Sequence, residues 1–378
     1  MTKAIILAAG RGERLRPLTD KKPKALLPVG NKPIISYLID QLKEIGVDEI
    51  AIVVNYLGHM IKSEFGDSFK YYEDKLVKGT GSALAAAKDF IDDDVIVAYG
   101  DLFFDGNLEG ILRQKNSMLV YKVSDVSKYG KVEIRDGEIV DIKEKTEVGP
   151  GLINAGLYHL PQSVVDYLEN ITLSSRGEYE LTDILIEMTK SYEFKPVVFS
   201  GYWKDIGYPW DYLDANMYVL DKIGFLIGEN VEIWPNATIR KPVIIGDNTI
   251  IKNSVLEKSV IGNDCVIGEF SIVKRSVIMN NSNAPHLNYV GDSVIAENVN
   301  LGAGTVLSNL RFDNKGVKVE INGKIINSGR RKLGAIIGYD VKVGTNVTIY
   351  PGKKIGSDSW IGANIVIRRN VPNGSRIR

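Results

Sequence analysis

After Gly224 the chain repeats a two-residue signal, an aliphatic residue followed by glycine. The pairs are Ile227-Gly228, Ile245-Gly246, Ile261-Gly262, Ile267-Gly268, Leu301-Gly302, Ile337-Gly338, Val343-Gly344, Ile355-Gly356 and Ile361-Gly362. Several stand six residues apart, and others are separated by multiples of six. A hexapeptide period of this kind specifies a parallel β-helix, because each aliphatic residue points into a prism-shaped core. One rung cannot bury its apolar side alone, so the rungs must stack. The glycines are expected to permit tight corners. Isolated Ile-Gly pairs also occur at ordinary strand ends, but their recurrence requires a repeat. Cys265 falls within the pattern and reads as a small core residue. Crossover statistics taken alone favour a right-handed coil.

Ahead of Gly224 the periods differ. Ile34, Ile35, Leu38, Ile39, Leu42 and Ile45 fall on one helical face, and Gly46 stops that helix. Residues 49–54 read as an apolar strand, the alanine-rich residues 80–90 as a helix, and residues 95–99 as a buried strand ending in Gly100-Asp101. Such alternation predicts a mainly parallel, twisted sheet with helices on both faces. Ligands bind such sheets outside the carboxyl ends of the strands. Asp101 sits there, and so does the stretch Leu7–Pro33. In it, the strand Ala4-Ile5-Ile6-Leu7 runs into Gly10-Arg11-Gly12, with Arg14, Arg16, Lys22 and Lys24 close behind. Glycines let backbone N–H groups approach a ligand, and clustered cations favour an anion. A phosphate-rich ligand is therefore expected, with a basic surface turn as the bland alternative. The Walker loop is excluded by its spacing, and the dinucleotide fingerprint by Leu15 in place of a third glycine.

A length of 378 residues allows two or three domains, and 44% hydrophobic residues allow a substantial core. No apolar run approaches a membrane span, and no signal peptide is read before the first strand. The single cysteine excludes an intramolecular disulfide and fits a reducing cytoplasm. A formal net charge of zero argues against general nucleic-acid binding.

The run LAAG-x-G-x-R-x-x-P-L-T-x-x-x-P-K-x-L-x-P-V-x-N-K-P over residues 7–33 resembles the signature of sugar-1-phosphate nucleotidylyltransferases. The resemblance implies that the backbone at Leu7, Ala8, Ala9 and Gly10 holds a nucleotide and that Arg14 and Lys24 grip its phosphates. Gly79-Thr80-Gly81, which alone reads as an ordinary helix start capped by Thr80, matches a family step that contacts base and phosphate. The glutamine that usually precedes it is absent from residues 72–77. Asp101 at a strand end suits Mg²⁺, which takes one or two carboxylates plus phosphate oxygens, though alone it also reads as a turn residue. Tyr99-Gly100-Asp101 and Trp203-Lys204-Asp205-Ile206-Gly207 resemble the family's two metal-bearing steps, which makes Asp101 and Asp205 the implied ligand pair. Gly130, Glu144, Lys145 and Asn154 match its sugar-phosphate contacts, with Thr146 in place of the usual proline. Gly177–Asp183 matches a family step read here as structural.

Within the repeat, residues 283–292 bring in His286, one of only three histidines in the chain. Histidine is the usual general base near neutral pH, although a loop histidine without a role is as common. The segment, with residues 298–305 after it, resembles the acetyltransferase half of the bifunctional enzymes that make UDP-N-acetylglucosamine. That resemblance implies a left-handed coil and makes His286 the catalytic base. Lys274, Tyr289 and Asn300 become contacts to an amino-sugar phosphate, and Ala303, Asn309, Thr345 and Ala363 line acetyl-CoA. The arginine expected one rung before Lys274 is missing, at a position near Leu256, and Leu310 replaces an aromatic. Residues 311–332 depart in length and carry Arg330-Arg331-Lys332, a contact for coenzyme A phosphates or a solvated basic turn. His59 and His159 carry no signal.

The expectation is an α/β nucleotidyltransferase domain over residues 1–224 and a left-handed β-helix acetyltransferase domain over residues 225–378. The implied reactions are nucleotidyl transfer from UTP or dTTP to glucose-1-phosphate or N-acetylglucosamine-1-phosphate, with Mg²⁺, and acetylation of glucosamine-1-phosphate by acetyl-CoA. No nucleic-acid or membrane partner is expected, and the β-helix implies a homotrimer or a dimer of trimers. Two alternatives stand: a nucleotidyltransferase whose β-helix only oligomerises or regulates, and a non-enzymatic scaffold of the same two-domain plan.

Overall fold

After Lys3 the strand Lys3–Ala8 is apolar, because both its faces are covered. Ala4 and Ile6 enter one buried cluster, and Ile5 and Leu7 enter the other. It runs parallel to Glu49–Val54 and Val95–Tyr99, with Leu7 opposite both Val53 and Tyr99. The computed structural model describes residues 1–144 and 148–378, the side chain of Glu144 excepted. Two compact units result. The first contains Met1–Arg11, Pro23–Leu26 and Ile34–Asp205; the second contains Gly12–Lys22, Leu27–Pro33 and Ile206–Arg378.

In the first unit the sheet order is Glu138–Glu144, Gly130–Arg135, Gly151–Leu160, Val95–Tyr99, Lys3–Ala8, Glu49–Val54, Lys70–Glu73. The half that begins at Val95–Tyr99 is parallel; Gly151–Leu160 and the hairpin beyond it add an antiparallel flank. The helix Ile34–Glu44 buries Ile34, Ile35, Leu38, Ile39 and Leu42, and Gly46 follows with φ 94. The helix expected over residues 80–90 ends at Ala86 and gives way to a single tight turn, Lys88–Phe90.

In the second unit the repeat builds columns of short parallel strands. One column stacks Ile245, Ile261, Ile278, Ile295, Ile337 and Ile355. Another takes Ile251, Ile267 and Ala284, then Leu301, Val343, Ile361 and Ile377. A third takes Leu256, Val273, Val290, Leu307, Ile349 and Ile367. Apart from the end residue Ile377, which packs against it half-buried, these side chains fill one continuous core. Between Leu307 and Ile349 the chain makes an excursion carrying the hairpin Lys318–Ile321 and Lys324–Asn327, with Val319 and Ile321 buried. The stack resumes in register beyond it.

The pair glycines do not make the corners. Positive φ falls instead on Asn and Asp residues just after them, such as Asn248, Asp264, Asp340, Asn346, Asp358 and Asn364. These short polar side chains tolerate the left-handed region. The glycines are needed because rungs approach too closely for a side chain. A Cβ at Gly302 would lie 2.5 Å from the carbonyl carbon of Gly344, and one at Gly246 would lie 2.6 Å from that of Gly262.

No described helix is long and apolar enough to cross a membrane. Burial pushes the Cys265 thiol up to about 12, so it is protonated as well as enclosed at neutral pH. At pH 8 the native protein is expected to resist thiol reagents and to react fully once denatured. Stoichiometric labelling of the native protein would contradict this packing.

Candidate active sites

The first site forms where Lys24 meets two carboxylates distant in sequence. Lys24 begins a short turn whose Ala25 and Leu26 are buried, so its own stem is enclosed. Its ammonium donates to Asp101 Oδ2 at 2.5 Å and lies 3.7 Å from Asp205 Oδ1. Asp101 follows the strand Val95–Tyr99. Asp205 ends the strand Tyr202–Asp205, which pairs antiparallel with Leu102–Asp105, so that Asp205 stands opposite Leu102. That pairing brings the carboxylates together. Trp203 anchors it, its indole N–H donating to the carbonyl of Ala155 at 3.0 Å. The Lys24 side chain is 9% exposed, whereas those of Asp101 and Asp205 are 39% and 30% exposed. Both carboxylates thus face one cationic point from the solvent side. A pair of oxygen donors around one cation suits a divalent ion completed by phosphate oxygens.

The neighbouring backbone is shaped for close approach. Gly100 N–H donates to Leu7 O at 2.9 Å, and a Cβ there would lie 3.1 Å from Ala8 Cβ. Nothing lies within 4 Å of a Cβ built on Gly10, which follows the buried Leu7, Ala8 and Ala9. Gly79, with φ 103, and Gly81 pack against the 179–181 segment: Gly81 N–H donates to Tyr179 O at 2.7 Å. Thr80 does not cap its own helix; its hydroxyl accepts the N–H of Leu181 at 2.9 Å. Sequence reading missed Asp74. Only 2% exposed, it accepts from the N–H groups of Leu76 and Val77 and from the Ser82 hydroxyl, and so shapes the loop before Gly79.

Asn154 lies where Gly151–Leu160 shifts register against Ser117–Val123. Bulges of this kind re-aim side chains. Its Oδ1 accepts from Gly156 N–H and from the Tyr158 hydroxyl, both at 2.9 Å, which turns its NH₂ group outward from that pair. Tyr99 packs edge-on against Tyr158. Gly130 pairs with the backbone of Glu144, and Lys131 with Ile153, so the hairpin runs beside Asn154. The Glu144 side chain and Lys145 lie outside the described residues.

Within the second unit, Gly12–Lys22 is seated on the β-helix. The buried Tyr339 hydroxyl donates to Leu18 O at 2.8 Å, and Ser357 Oγ donates to Asp20 Oδ2 at 2.8 Å. Lys21 pairs with Asp340 and Asp358, and Lys22 with Glu297. Arg14 places its guanidinium 5.0 Å from the Tyr208 ring centre, and Tyr208 stacks on Trp210.

His286 stands at the head of a second constellation. It pairs in register with Glu269, and its Nδ1 lies 3.2 Å from Glu269 Oε2. Backbone N–H bonding and nearby Lys252 hold the Glu269 carboxyl below its ordinary range. After His286 comes Leu287 with φ 54, a turn fixed by the buried Asn288. Asn288 accepts from His286 N–H at 3.1 Å and donates to Gly302 O at 2.8 Å. Sequence reading missed this residue also. Beyond His286 one corner column continues through Ala303, Thr345 and Ala363. Gly304 N–H donates to His286 O, Asn346 N–H to Ala303 O, and Asn364 N–H to Thr345 O. Such a column could line a ligand extended along the coil axis. Asn300 lies on the strand column of Asn283.

Lys274 and Tyr289 lie on the neighbouring face. Register fixes the position expected near Leu256: the residue one rung before Lys274 is Glu257, while Leu256 points inward. Glu257 lies 2.7 Å from the Lys274 ammonium, and Lys274 and Arg240 hold its carboxyl below its ordinary range. Asn309 Nδ2 donates to buried Asp292 at 2.7 Å and lies 3.4 Å from the Tyr289 hydroxyl.

Residues 3–222 match the family described as Nucleotidyl transferase. Residues 226–256 match Bacterial transferase hexapeptide (six repeats), and residues 334–369 match Hexapeptide repeat of succinyl-transferase. With these repeats the all-parallel columns form a left-handed parallel β-helix. The chain is 40% identical to the bifunctional protein GlmU of Methanocaldococcus jannaschii, over 98% of this chain and 96% of that one. It is 42% identical to a bifunctional sugar-1-phosphate nucleotidylyltransferase/acetyltransferase of Sulfurisphaera tokodaii, over 98% of each. A Bacillus anthracis crystal structure, provisionally assigned as a glucose-1-phosphate thymidylyltransferase, matches with TM-score 0.53 and 30% identity, covering 58% of this chain and 95% of that one.

Tyr339→Phe should destabilise the protein by about 1–3 kcal/mol, because it strands the buried Leu18 carbonyl. Lys21→Ala removes exposed ion pairs and should cost under about 1 kcal/mol. Denaturant midpoints read both; equal midpoints for Tyr339→Phe and wild type would contradict the seating of this segment.

Proposed function

This chain belongs to the nucleotidyl transferase family, with hexapeptide repeats at its carboxy-terminal end, and from that premise we propose that it catalyses two group transfers on sugar phosphates. Residues 1–224 carry nucleotidyl transfer, and residues 225–378 carry acetyl transfer. The observation that supports the first most strongly is the convergence of Asp101 and Asp205 on Lys24 at the carboxyl end of the central strands.

In nucleotidyl transfer, a 1-phosphate oxygen of the sugar phosphate attacks the α-phosphorus of UTP or dTTP. The bond from that phosphorus to the β-phosphate oxygen breaks, and pyrophosphate leaves. The backbone of Leu7–Gly10 and the Gly79-Thr80 and Tyr99-Gly100 steps take the nucleotide. Gly130, Glu144, Lys145 and Asn154 take the sugar phosphate, with the outward Asn154 NH₂ as a donor to a sugar oxygen. Lys24 and Arg14 supply positive charge to phosphate oxygens as charge moves to the leaving group. Mg²⁺ held by Asp101 and Asp205 would supply Lewis-acid neutralisation of the phosphates.

In acetyl transfer, His286 takes a proton from the amine of glucosamine-1-phosphate, and the nitrogen attacks the thioester carbonyl of acetyl-CoA. The carbon–sulfur bond breaks, and the coenzyme A thiolate recovers a proton from the imidazolium. The Glu269 carboxylate, 3.2 Å from Nδ1, stabilises the imidazolium that forms. The corner column of Ala303, Thr345 and Ala363, with Asn309, accommodates acetyl-CoA; Lys274, Tyr289 and Asn300 face the amino sugar. The working enzyme is a cytoplasmic homotrimer or dimer of trimers.

Asp101→Asn should lower pyrophosphate release by about 100-fold or more while acetyl transfer persists. His286→Ala should lower acetyl transfer by about 100-fold or more while pyrophosphate release persists. Parallel pyrophosphate and free-thiol assays on both variants check this. Acetyl transfer absent from wild type and variant alike would leave only the nucleotidyltransferase with an oligomerising β-helix.

A further inference from the structure

The signature stretch over residues 7–33 is divided between the two units. Its residues up to Arg11 belong to the first, as do Pro23–Leu26; Gly12–Lys22 and Leu27–Pro33 belong to the second, with the β-helix. Two of its cations are committed to that β-helix rather than to an anion. Lys22 pairs with Glu297, the two side chains being 18% and 20% exposed, and Lys21 pairs with Asp340 and Asp358. The three carboxylates share one corner of the coil. Asp340 N–H donates to Glu297 O at 3.1 Å, and Asp358 N–H donates to Tyr339 O at 2.8 Å.

Beneath these ion pairs the contacts are buried. The Tyr339 hydroxyl holds Leu18 O, and Ser357 Oγ holds Asp20 while accepting Tyr339 N–H at 3.1 Å. Pro17 lies against Gly338, where a Cβ would come within 2.8 Å of Pro17 Cβ. From this seat a short path leads to Arg14. The buried Thr19 hydroxyl donates to Gly12 O at 2.8 Å, and Leu15 N–H donates to the same carbonyl at 3.0 Å. Together they close the single turn Glu13–Leu15 that carries Arg14. Residues 27–33 are tied down as well: Gly30 N–H donates to buried Asn216 at 2.9 Å, and Asn31 Nδ2 donates to Ile261 O at 2.8 Å. A guanidinium whose backbone is fixed beforehand loses less freedom on meeting a phosphate.

We propose that Tyr339, Ser357 and Glu297 of the β-helix are positioning residues for nucleotidyl transfer: they fix Gly12–Lys22 in the conformation from which Arg14 meets the phosphates of the nucleotide. The inference rests on the nucleotidyl-transfer reading above. It gives the β-helix a part in both transfers, so that the reaction carried by residues 1–224 depends on residues 225–378.

Pyrophosphate release from UTP should be measured for the wild-type chain, Tyr339→Phe and Glu297→Gln, and for the same two substitutions in an Arg14→Ala chain. Denaturant midpoints set conditions under which every variant is folded. Glu297→Gln leaves the buried contacts in place and keeps the test open should Tyr339→Phe not fold. Each substitution should lower kcat/KM for UTP about tenfold, as expected for one lost hydrogen bond in the seat, and leave the KM for the sugar phosphate unchanged. In the Arg14→Ala chain the same substitutions should change it by under about twofold, because a residue that acts through Arg14 has nothing left to position. Wild-type kcat/KM in both variants, or an equal loss with and without Arg14, would overturn the proposal. If the wild type releases no pyrophosphate, the nucleotidyl reading fails by itself, and calorimetry with UTP then judges the seat. Weaker UTP binding by Glu297→Gln than by the wild type supports it; equal binding, or none by the wild type, overturns it.

Discussion

A lysine ammonium enclosed to the degree of Lys24 must be paired, because an uncompensated charge in that position would cost several kcal/mol. Its partners come from two places in the chain. Asp101 arrives at the end of a parallel strand, and Asp205 arrives through antiparallel pairing with the strand that follows Asp101. The rest of the first unit serves that meeting. The buried apolar run of the strand Lys3–Ala8 sets the level at which Gly100 closes against Leu7, and the Trp203 indole ties the Asp205 strand to Ala155. The lysine enforces the carboxylate geometry, and the carboxylates in turn keep a cation where phosphate oxygens would need one.

The second unit obeys a different constraint. Its core is a stack, so each rung depends chiefly on the rungs next to it. That explains how an excursion of the length of 311–332 is accommodated while Leu307 still pairs with Ile349. It also explains the division of labour at the corners. Asn and Asp carry the left-handed backbone, while glycine is reserved for points where neighbouring rungs nearly touch. The chemistry-bearing side chains stand on this frame: His286 after a turn fixed by Asn288, and Lys274 opposite Glu257.

Much of this was legible from local pattern. The six-residue period identified the inward column residues, and strand–helix alternation placed Asp101 at a strand end. The Asp136-Gly137 turn marks residues 131–144 as a hairpin, which the structure contains, but the alternation did not disclose that Gly151–Leu160 joins the sheet antiparallel to Val95–Tyr99, since an apolar strand reads alike in either direction. Nor did it reveal the packing of Gly79 and Gly81 on Tyr179, a contact between segments about a hundred residues apart. Spacing alone left the position before Lys274 open to within one residue. Leu256 and Glu257 are adjacent, but strand periodicity sends one into the core and the other toward Lys274. Asp74 and Asn288 escaped because a buried polar residue that organises a loop has no spacing signature.

The two transfers can be followed in one reaction. The purified chain would be given glucosamine-1-phosphate, UTP, Mg²⁺ and acetyl-CoA labelled with ¹³C in the acetyl group, and the nucleotide sugars would be resolved by mass spectrometry. The account predicts a UDP-linked N-acetylamino sugar carrying the label, formed with release of pyrophosphate and lost when His286 is replaced by alanine. A nucleotide sugar that never carries the label, or no nucleotide sugar at all, would contradict it.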